Sequence, residues 1–478
     1  MSKRPLIVDV DGTYLRTDML LESLWAGLGR APFETLAALK DHWRSPQELK
    51  ARMVELVDLR LDLLPVNEGM RAAIAQAQAE GREVRLASAS DLQLVKALSE
   101  AAGLGSEVFA STPERNLKGQ AKAAALVEAY GEDGFDYAGN APVDADVWAK
   151  AHTAVVVGPN QRARAAAQKR GKPVVDIDGA WDIKDAIRAM RPHQWVKNVL
   201  LLLPIVAAHQ FDLATLFWAL LGILSFSFAA SSIYGVNDLL DLEADRLHKT
   251  KCNRPYASGA VPIEIGMALS IGLGVLALAI GALLSPAFFG IVALYMVLSL
   301  AYSLRLKRMR WIDVATLATL YTLRVVAGAA ATGVDASGFM LVFVFPIFLT
   351  LGCVKRLTEL FHAPDDARLP GRGYGKPDRG DLLNMSAIGM VGALVIFFLY
   401  SFSPQAETLY PTQWLLWICL VPIAIWLYRM IKIGWLGAMD YDPIVFALRD
   451  KFGMGILLIT LSLMFYAAGL WAEWFGLL

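Results

Sequence analysis

Asn237, Asp241 and Asp245 recur every four residues in the stretch SSIYGVNDLLDLEADRLHKTKCNRPYASG (231–259). That spacing stacks them on one helix face. Asp238 and Glu243 stand beside them, so the cluster repels itself unless a cation holds it. Oxygen ligands in this arrangement suit Mg2+, which usually bridges onward to substrate phosphates. Lys249, Lys251 and Arg254 follow, ready to hold a phosphate's outer oxygens. A solvated helix extension with ordinary salt bridges would explain the charges, but not their four-residue repetition at the end of an apolar helix.

A second constellation lies in YSLRLKRMRWIDVATLATLYTLRVVAGAAATG (302–333). Tyr302, Arg305, Lys307 and Arg308 occupy a loop, Asp313 opens the next helix, and Arg324 follows eleven residues deeper. Lys307 near Asp313 could clamp a second phosphate or a metal. Arg324 stands mid-way along an apolar helix, where a charge is costly unless it is paired or functional, and is expected on a cavity wall. Basic residues continue in CVKRLTEL (353–360), with Lys355 and Arg356, then in PGRGYGKPDRGD (370–381) and MDYDPIVFALRDK (439–451). Topology alone would also place basic residues in such loops.

A separate set begins the chain. RPLIVDVDGTYLRTD reads as an apolar strand running into Asp9, Val10, Asp11, Gly12 and Thr13. Carboxylates at i and i+2 point to the same side of a strand end. There one can attack phosphorus and the other protonate the leaving group, with Mg2+ screening the phosphate. VRLASAS (84–90) is a second strand, placing Ser88 to donate to a phosphoryl oxygen. NLKGQAKAAAL (116–126) puts Lys118 and Lys122 at a helix start; FDYAGNAPVDADVW (135–148) is a third strand followed by Asn140 and Asp144; TAVVVGP (153–159) is a fourth.

The elements that carry these residues belong to two regimes. Over all 478 residues, 56% are apolar and 19% charged, with 45 basic and 45 acidic side chains. That argues against an ordinary soluble enzyme, against disorder, and against a nucleic-acid binder driven by bulk positive charge. Three scattered cysteines make neither a disulfide framework nor a thiolate zinc site. Residues 1–190 hold 24 Lys/Arg and 27 Asp/Glu; residues 191–478 hold 21 and 18, separated by long apolar runs. Those runs predict nine spanning helices near 194–210, 213–236, 261–281, 285–304, 311–333, 338–356, 383–401, 411–430 and 453–474. The first is the weakest because it is short and contains Pro204. No long apolar run precedes the first charges, so an internal first helix, rather than a signal peptide, is expected to target the chain. Alternate loops, with 191–197, contain 20 of the 21 basic residues, which predicts that the amino-terminal domain and the four long loops are cytoplasmic and the C-terminus outside.

DVDGT, Ser88, Lys122 and the Asn140–Asp144 segment resemble, in order and spacing, the haloacid dehalogenase (HAD) superfamily of phosphohydrolases. The resemblance implies a Rossmann-like α/β domain over about 1–180, with a helical cap near 19–79 and a linker at 181–193. It would make Asp9 the nucleophile and a metal ligand, Asp11 the acid/base, Ser88 and Lys122 phosphate binders, and Asp144 a metal-site residue. The family's fourth motif usually begins Gly-Asp; here it is Gly139-Asn140. Asn140 can ligate Mg2+ but brings no charge. A degenerate domain kept for regulation or assembly is therefore an alternative to an active phosphatase.

The NxxxDxxxD ladder leaving the second of nine helices resembles the UbiA superfamily of intramembrane prenyltransferases. RPHQWVKN (191–198), YSLRLKR…IDV…LRVVAGA and KRLTEL resemble its decaprenyl-phosphate phosphoribosyltransferase branch; the likeness covers essentially all of 191–478, of which 194–478 is the expected transferase domain. By that resemblance Asn237, Asp241 and Asp245 would hold Mg2+ and the diphosphate of phosphoribosyl diphosphate (PRPP). Lys249, Lys251, Arg254, Tyr302 and Lys307, with Lys355 and Arg356, would contact substrate, and Asp313 and Arg324 would complete the pocket. The usual second DxxxD motif is absent, since Leu317 stands four residues after Asp313.

The expected function is Mg2+-dependent transfer of 5-phosphoribosyl from PRPP to a polyprenyl phosphate at the cytoplasmic face of a bacterial inner membrane. A HAD phosphatase removing the product's 5-phosphate would be a logical next step. The alternative is transfer of a polyprenyl group from its diphosphate to an aromatic or polar acceptor. A transporter or membrane scaffold ranks below both. Membrane lipids are the expected surroundings, with no nucleic acid and no obligatory protein partner.

Overall fold

The computed structural model describes residues 4–112, 114–158, 161–169, 171–179, 181–363, 368–369, 371–439 and 442–476. Pro159, Pro370, Asp440 and Tyr441, which fall within expected motifs, lie outside that set. The chain forms two compact units: Met1–Met190 with Tyr234–Ser270, and Arg191–Ile233 with Ile271–Leu478.

In the first unit six parallel strands form one sheet: β1 (Leu6–Val8), β2 (Val84–Asp91), β3 (Phe109–Ser111), β4 (Asp136–Gly139), β5 (Ala154–Val157) and β6 (Val174–Ile177). Their order is β3-β2-β1-β4-β5-β6. The runs Leu-Ile-Val and Ala-Val-Val-Val suit strands buried on both faces. Alternation along β1 divides the cores: Val8 packs with Met70, Leu86 and Val95 on one side, Ile7 with Leu126, Trp148 and Val156 on the other. Three-residue β3 and half-exposed β6 were not among the four expected strands; both are edge strands, too short or too polar to stand out by pattern. Strand order reverses between β1 and β4, leaving a crevice at their carboxyl ends. The stretch 19–79 is helical: α1 (Met19–Arg30), α2 (Pro32–His42), α3 (Pro46–Leu56) and Glu68–Ala79.

The same unit takes in the loop that carries the acidic ladder. Leu239, Leu242, Tyr256 and Val261 share an apolar cluster with Ala186 and Ala189, and Leu21 and Trp25 of α1 pack against it. Glu22 of α1, 2% exposed, accepts two hydrogen bonds from Arg246, at 2.6 and 3.0 Å. Arg30 pairs with Glu243. A Cβ on Gly259 would lie 2.8 Å from the Arg16 side chain and 2.9 Å from Pro65, so glycine permits a close approach there.

Among the described residues seven helices are long and apolar enough to cross a membrane. They are α4 (Leu213–Leu240), α6 (Ile263–Leu284), α7 (Pro286–Leu304), α8 (Ile312–Thr332), α9 (Gly338–Phe361), α10 (Arg379–Tyr400) and α11 (Trp414–Trp435); short α5 (Leu242–Leu247) follows α4. In α8 61% of the spanning window is buried, against 39% or less in the others, so α8 is the interior helix. The two remaining expected spans are shorter than predicted. The first is a 3₁₀ helix, Pro192–Leu202, followed by a single α-turn, Leu203–Ala207. The last stops as α13 (Lys451–Ala467), after short α12 (Pro443–Arg449), because Gly469 turns the chain at φ +78° before Leu470–Phe475. Prolines 192 and 204 lack the N–H that a regular helix would use.

The 3₁₀ segment also packs unusually close. A Cβ on Gly328 of α8 would lie 2.0 Å from the Leu201 carbonyl oxygen. Backbone cannot rotate away as a side chain can. Gly328→Ala should therefore cost about 1–3 kcal/mol of overpacking strain and lower the thermal midpoint of detergent-solubilised protein. Gly290→Ala, where the added atom meets nothing within 4 Å, is the control and should leave the midpoint unchanged.

Candidate functional site

Helix α4 ends at Leu240, and Asp241 leaves helical geometry (φ −101°, ψ 13°) before α5 resumes. The four-residue ladder survives that break: Asp241 N–H donates to the Asn237 carbonyl at 3.0 Å, and Asp245 N–H to the Asp241 carbonyl at 2.8 Å. Asn237 Nδ2 donates to Asp241 Oδ2 at 3.2 Å. Asp245 turns inward, 2% exposed, and accepts from Arg254 at 2.5 Å; the same nitrogen reaches Asp238 at 3.1 Å. Burial raises the Asp245 pKa against the pull of Arg254. Arg254, expected on a phosphate, therefore holds two ladder carboxylates, whereas Lys249 and Lys251 face solvent.

Among the described residues no three His, Cys, Asp or Glu side chains gather into a ready cage for a metal. Asn237 and Asp241, which hydrogen-bond each other, are both partly exposed. This suits Mg2+, which takes one or two protein oxygens, keeps several waters and completes its shell with substrate phosphates.

The second constellation belongs to the other unit and is a closed ionic knot. Asp313, 0% exposed in the first turn of α8, accepts from both Arg356 Nε and Arg356 Nη2, the latter at 2.9 Å. Tyr302 donates to the same carboxylate at 2.8 Å, and Arg372 approaches at 3.4 Å. Glu359, one turn along α9, also pairs with Arg356. Asp313 is thus enclosed by cations rather than offered to a metal, and fully buried Arg356 serves Asp313 rather than a substrate surface. Lys307 sits half-buried on the 3₁₀ turn Leu306–Arg308. Arg324 is 4% exposed; it donates to Asn198 Oδ1 at 3.1 Å, the Leu320 carbonyl at 2.7 Å and Tyr295 at 3.1 Å. Its guanidinium lies 4.9 Å from the Tyr295 ring centre and 5.4 Å from that of Phe226. Neutral oxygens and aromatic faces hold this intramembrane charge.

Asp442, which precedes Pro443 and was not singled out from the sequence, gathers side chains from three elements. Lys197 pairs with it at 3.0 Å and Lys355 at 3.3 Å, while Tyr321 donates to both its oxygens at 2.7 and 2.8 Å. Burial alone would raise its pKa; the two lysines and Tyr321 overcome that and hold it far below the usual carboxylate range. Asp442, Lys197 and Arg372 are scattered over 245 positions of sequence, so no local spacing marked them.

In the amino-terminal site β1 delivers Asp9, 8% exposed, to Lys122 at 2.6 Å. Lys122 also donates to Tyr137, whose hydroxyl donates to Asp144 at 3.0 Å. Burial pushes the Asp9 carboxyl up to about 7 despite Lys122. Burial works against the Lys122 charge, but Asp9 and Asp144 keep its pKa above the usual lysine value. Asp144 accepts the backbone N–H groups of Asn140 and Ala141 at 3.2 and 3.0 Å. It therefore shapes the loop after β4. Asp11 accepts from Met19 N–H, Ser88 and Ser90 at 2.9, 3.0 and 2.7 Å, so Ser88 is turned to Asp11 here rather than to a phosphoryl site. Asn140 packs over Gly12, where a Cβ would lie 2.1 Å from its amide nitrogen. A cavity of about 470 Å³ reaches Asp11, Gly12 and Asn140 and is walled opposite them in sequence by Gly259, Pro262 and Glu264.

Removing Asp313 tests the ionic knot. Asp313→Asn leaves Arg356 charged and fully buried, and should cost about 3 kcal/mol, the low end for a broken buried pair because Glu359 remains. Tyr302→Phe deletes one neutral donor and should cost about 1 kcal/mol. Thermal unfolding of the two variants in one detergent checks the ranking.

Residues 199–449 match the model of the UbiA prenyltransferase family. The chain is 31% identical over 459 residues to the protein y4nM of Sinorhizobium fredii, covering 94% of this chain and 88% of that one. It is 30% identical over 276 residues to the decaprenyl-phosphate phosphoribosyltransferase of Mycobacterium tuberculosis, covering 56% and 89%. A solved UbiA homolog from Archaeoglobus fulgidus, bound to GPP and Mg2+, aligns at 17% identity and a TM-score of 0.46, covering 60% of this chain and 99% of that one. On the family match over 199–449, this polytopic membrane chain, with its amino-terminal α/β domain, belongs to the UbiA prenyltransferase family.

Proposed function

We propose that the chain is a Mg2+-dependent transferase that takes a diphosphate donor at Asn237, Asp241 and Asp245. The observation that carries this reading is the geometry of the ladder: Asn237 and Asp241 lie side by side and partly exposed, and Arg254 pairs with Asp238 and Asp245. When bound there, Mg2+ supplies the positive charge that a departing diphosphate needs. Lys249 and Lys251, exposed just beyond the ladder, would meet the outer phosphate oxygens, with Tyr302 and Lys307 as further substrate contacts.

Two donors fit this chemistry. The family as a whole supports a polyprenyl diphosphate, with the isoprenoid passing to an aromatic or polar acceptor. The phosphoribosyltransferase relative supports PRPP, with a polyprenyl phosphate as acceptor. Asp313, locked between Arg356 and Arg372, favours the second, since it is not offered to a metal and no second cluster of metal-binding side chains gathers among the described residues. In the PRPP reading the lipid phosphate oxygen attacks ribose C1, the C1–O bond to diphosphate breaks, and no protein nucleophile is required.

The finer architecture belongs to the same proposal: a transferase domain over 194–478 with nine spans, its loops and amino-terminal domain cytoplasmic at a bacterial inner membrane. The domain over 1–180 is read as HAD-like, with Asp9, Asp11, Lys122 and Asn140 at its site. A degenerate domain is the alternative, since Asp9, Lys122, Tyr137 and Asp144 already form a satisfied chain of hydrogen bonds.

Purified protein with Mg2+ should be offered labelled PRPP plus polyprenyl phosphate, or labelled prenyl diphosphate plus an aromatic acid. Label from PRPP entering the lipid phase selects phosphoribosyl transfer; consumption of prenyl diphosphate with prenylated acceptor selects prenyl transfer. Formation of neither of these products would overturn the transferase reading. Asp241→Asn should reduce the productive reaction at least about a hundredfold while leaving any phosphomonoesterase activity intact. Asp9→Asn should abolish only the latter, and equal phosphatase rates would support the degenerate domain.

A further inference from the structure

The cavity at the carboxyl end of the amino-terminal sheet has a wall that the strand motifs do not supply. It holds about 470 Å³, within the roughly 300–1,000 Å³ of small-molecule sites. Of the two carboxylates that follow β1, Asp11 lines it, while Asp9 lies 8% exposed against Lys122. Asp11 is the acid expected to protonate a leaving alcohol, so the cavity lies on the alcohol's side of a phosphate ester. The lining continues with Arg16 and Asp18, then leaves the first 180 residues for Trp181, Pro262 and Glu264.

Other parts of the same unit position these groups. Asp18 caps α1 and accepts from Leu21 N–H at 3.0 Å. Burial and the charges of Asp11 and Glu264 raise its carboxyl to about 7 against the pull of Leu21 N–H and Lys50. The Arg16 backbone N–H donates to the Pro65 carbonyl at 2.8 Å, and its Cβ lies against Gly259. Trp181 packs on the apolar cluster of Ala186, Leu239, Leu242 and Tyr256. Glu264 stands exposed in the first turn of spanning helix α6. Among the described residues, neither the Arg16 nor the Glu264 side chain has a hydrogen-bond or ion-pair partner. A hydroxyl donates to a carboxylate and accepts from a guanidinium, so a lining of both signs suits a polyol. An alkyl chain would strip the same groups of water and replace nothing. The flat apolar face of an indole covers the C–H face of a sugar ring.

We infer that Trp181 and Glu264, which lie beyond the HAD-like segment, are specificity-determining residues of the amino-terminal site, and that its substrate is a sugar phosphate. The ring rests on Trp181, and the hydroxyls meet Arg16, Asp18 and Glu264. The inference rests on the phosphatase reading for the place of the phosphate. In that reading an Asp9 oxygen takes the phosphoryl group, the bond from phosphorus to the sugar oxygen breaks, and Asp11 gives that oxygen its proton. Water, losing a proton to Asp11, then cleaves the acyl phosphate and releases phosphate.

Phosphate release by the purified full-length chain in detergent with Mg2+ tests this on glucose 6-phosphate, butyl phosphate and phenyl phosphate. Glucose 6-phosphate should be preferred at least about tenfold in kcat/KM, the worth of one hydrogen bond to a charged group. Glu264→Ala should raise its KM about tenfold with kcat within about twofold, and Glu264→Gln, which keeps a carbonyl acceptor, should recover most of the loss. Trp181→Leu should raise KM in the same way, and Trp181→Phe, which keeps a ring, should restore it. If the Trp181→Leu chain does not fold, exposed Glu264 carries the test. Equal kcat/KM for the three esters, or an unaltered KM in Glu264→Ala, would overturn the inference. If none of the three is hydrolysed, the phosphatase reading fails by itself and equilibrium binding decides. Radiolabelled glucose 6-phosphate that the chain retains, and that Glu264→Ala weakens about tenfold, upholds the pocket; no retention overturns it.

Discussion

A charge placed in an apolar medium must be paired, and that constraint organises the membrane part of this chain. Asp313 and Arg356 are both at 0% exposure, and each makes the other tolerable. Tyr302, Arg372 and Glu359 complete the valences that the pair leaves over. The knot ties the start of α8 to the cytoplasm-expected end of α9, the helix pair on which the interior of the unit is built. Arg324 donates to amide, carbonyl and phenol oxygens from three different residues. Such pairs add little net stability over apolar packing, but breaking one exposes the full cost of a stranded charge.

Pairing also organises the acidic ladder. Arg254 takes Asp238 and Asp245, and the amide of Asn237 turns to Asp241. Within the first unit, Glu22 receives Arg246 and buries it against α1, so the ladder segment is fastened to the helices that follow the first strand. Local sequence alone makes Arg246 an ordinary loop cation. Its role depends on Glu22, 224 positions away.

Much of the architecture was legible because it rests on local periodicity and solvent. Strands β1, β2, β4 and β5 are apolar runs, and the long membrane helices are stretches that only a bilayer would tolerate exposed. β3 and β6 carried too few apolar residues to declare themselves. The first and last expected spans hold less regular helix than their hydropathy suggests for a related reason: hydropathy measures transfer cost and is blind to the prolines and the positive-φ glycine that end regular helix. The ladder's spacing was equally visible, as were Asp9, Asp11 and Lys122. The structure turns Ser88 to Asp11 and Asp144 to the loop backbone.

By itself the sequence determined what depends on neighbours in the chain: the two solvent regimes, the helix-face ladder, the strand that ends in Asp9 and Asp11, and the family those motifs resemble. Tertiary structure decided which charges meet. It set Asp442 against Lys197 and Lys355, closed Arg356 and Arg372 on Asp313, and set Arg254 against Asp238 and Asp245. The physical reason is the range of the forces. Hydropathy and backbone geometry act over a few residues, whereas the low dielectric of the interior makes each buried charge seek a partner wherever folding brings one within about 3 Å.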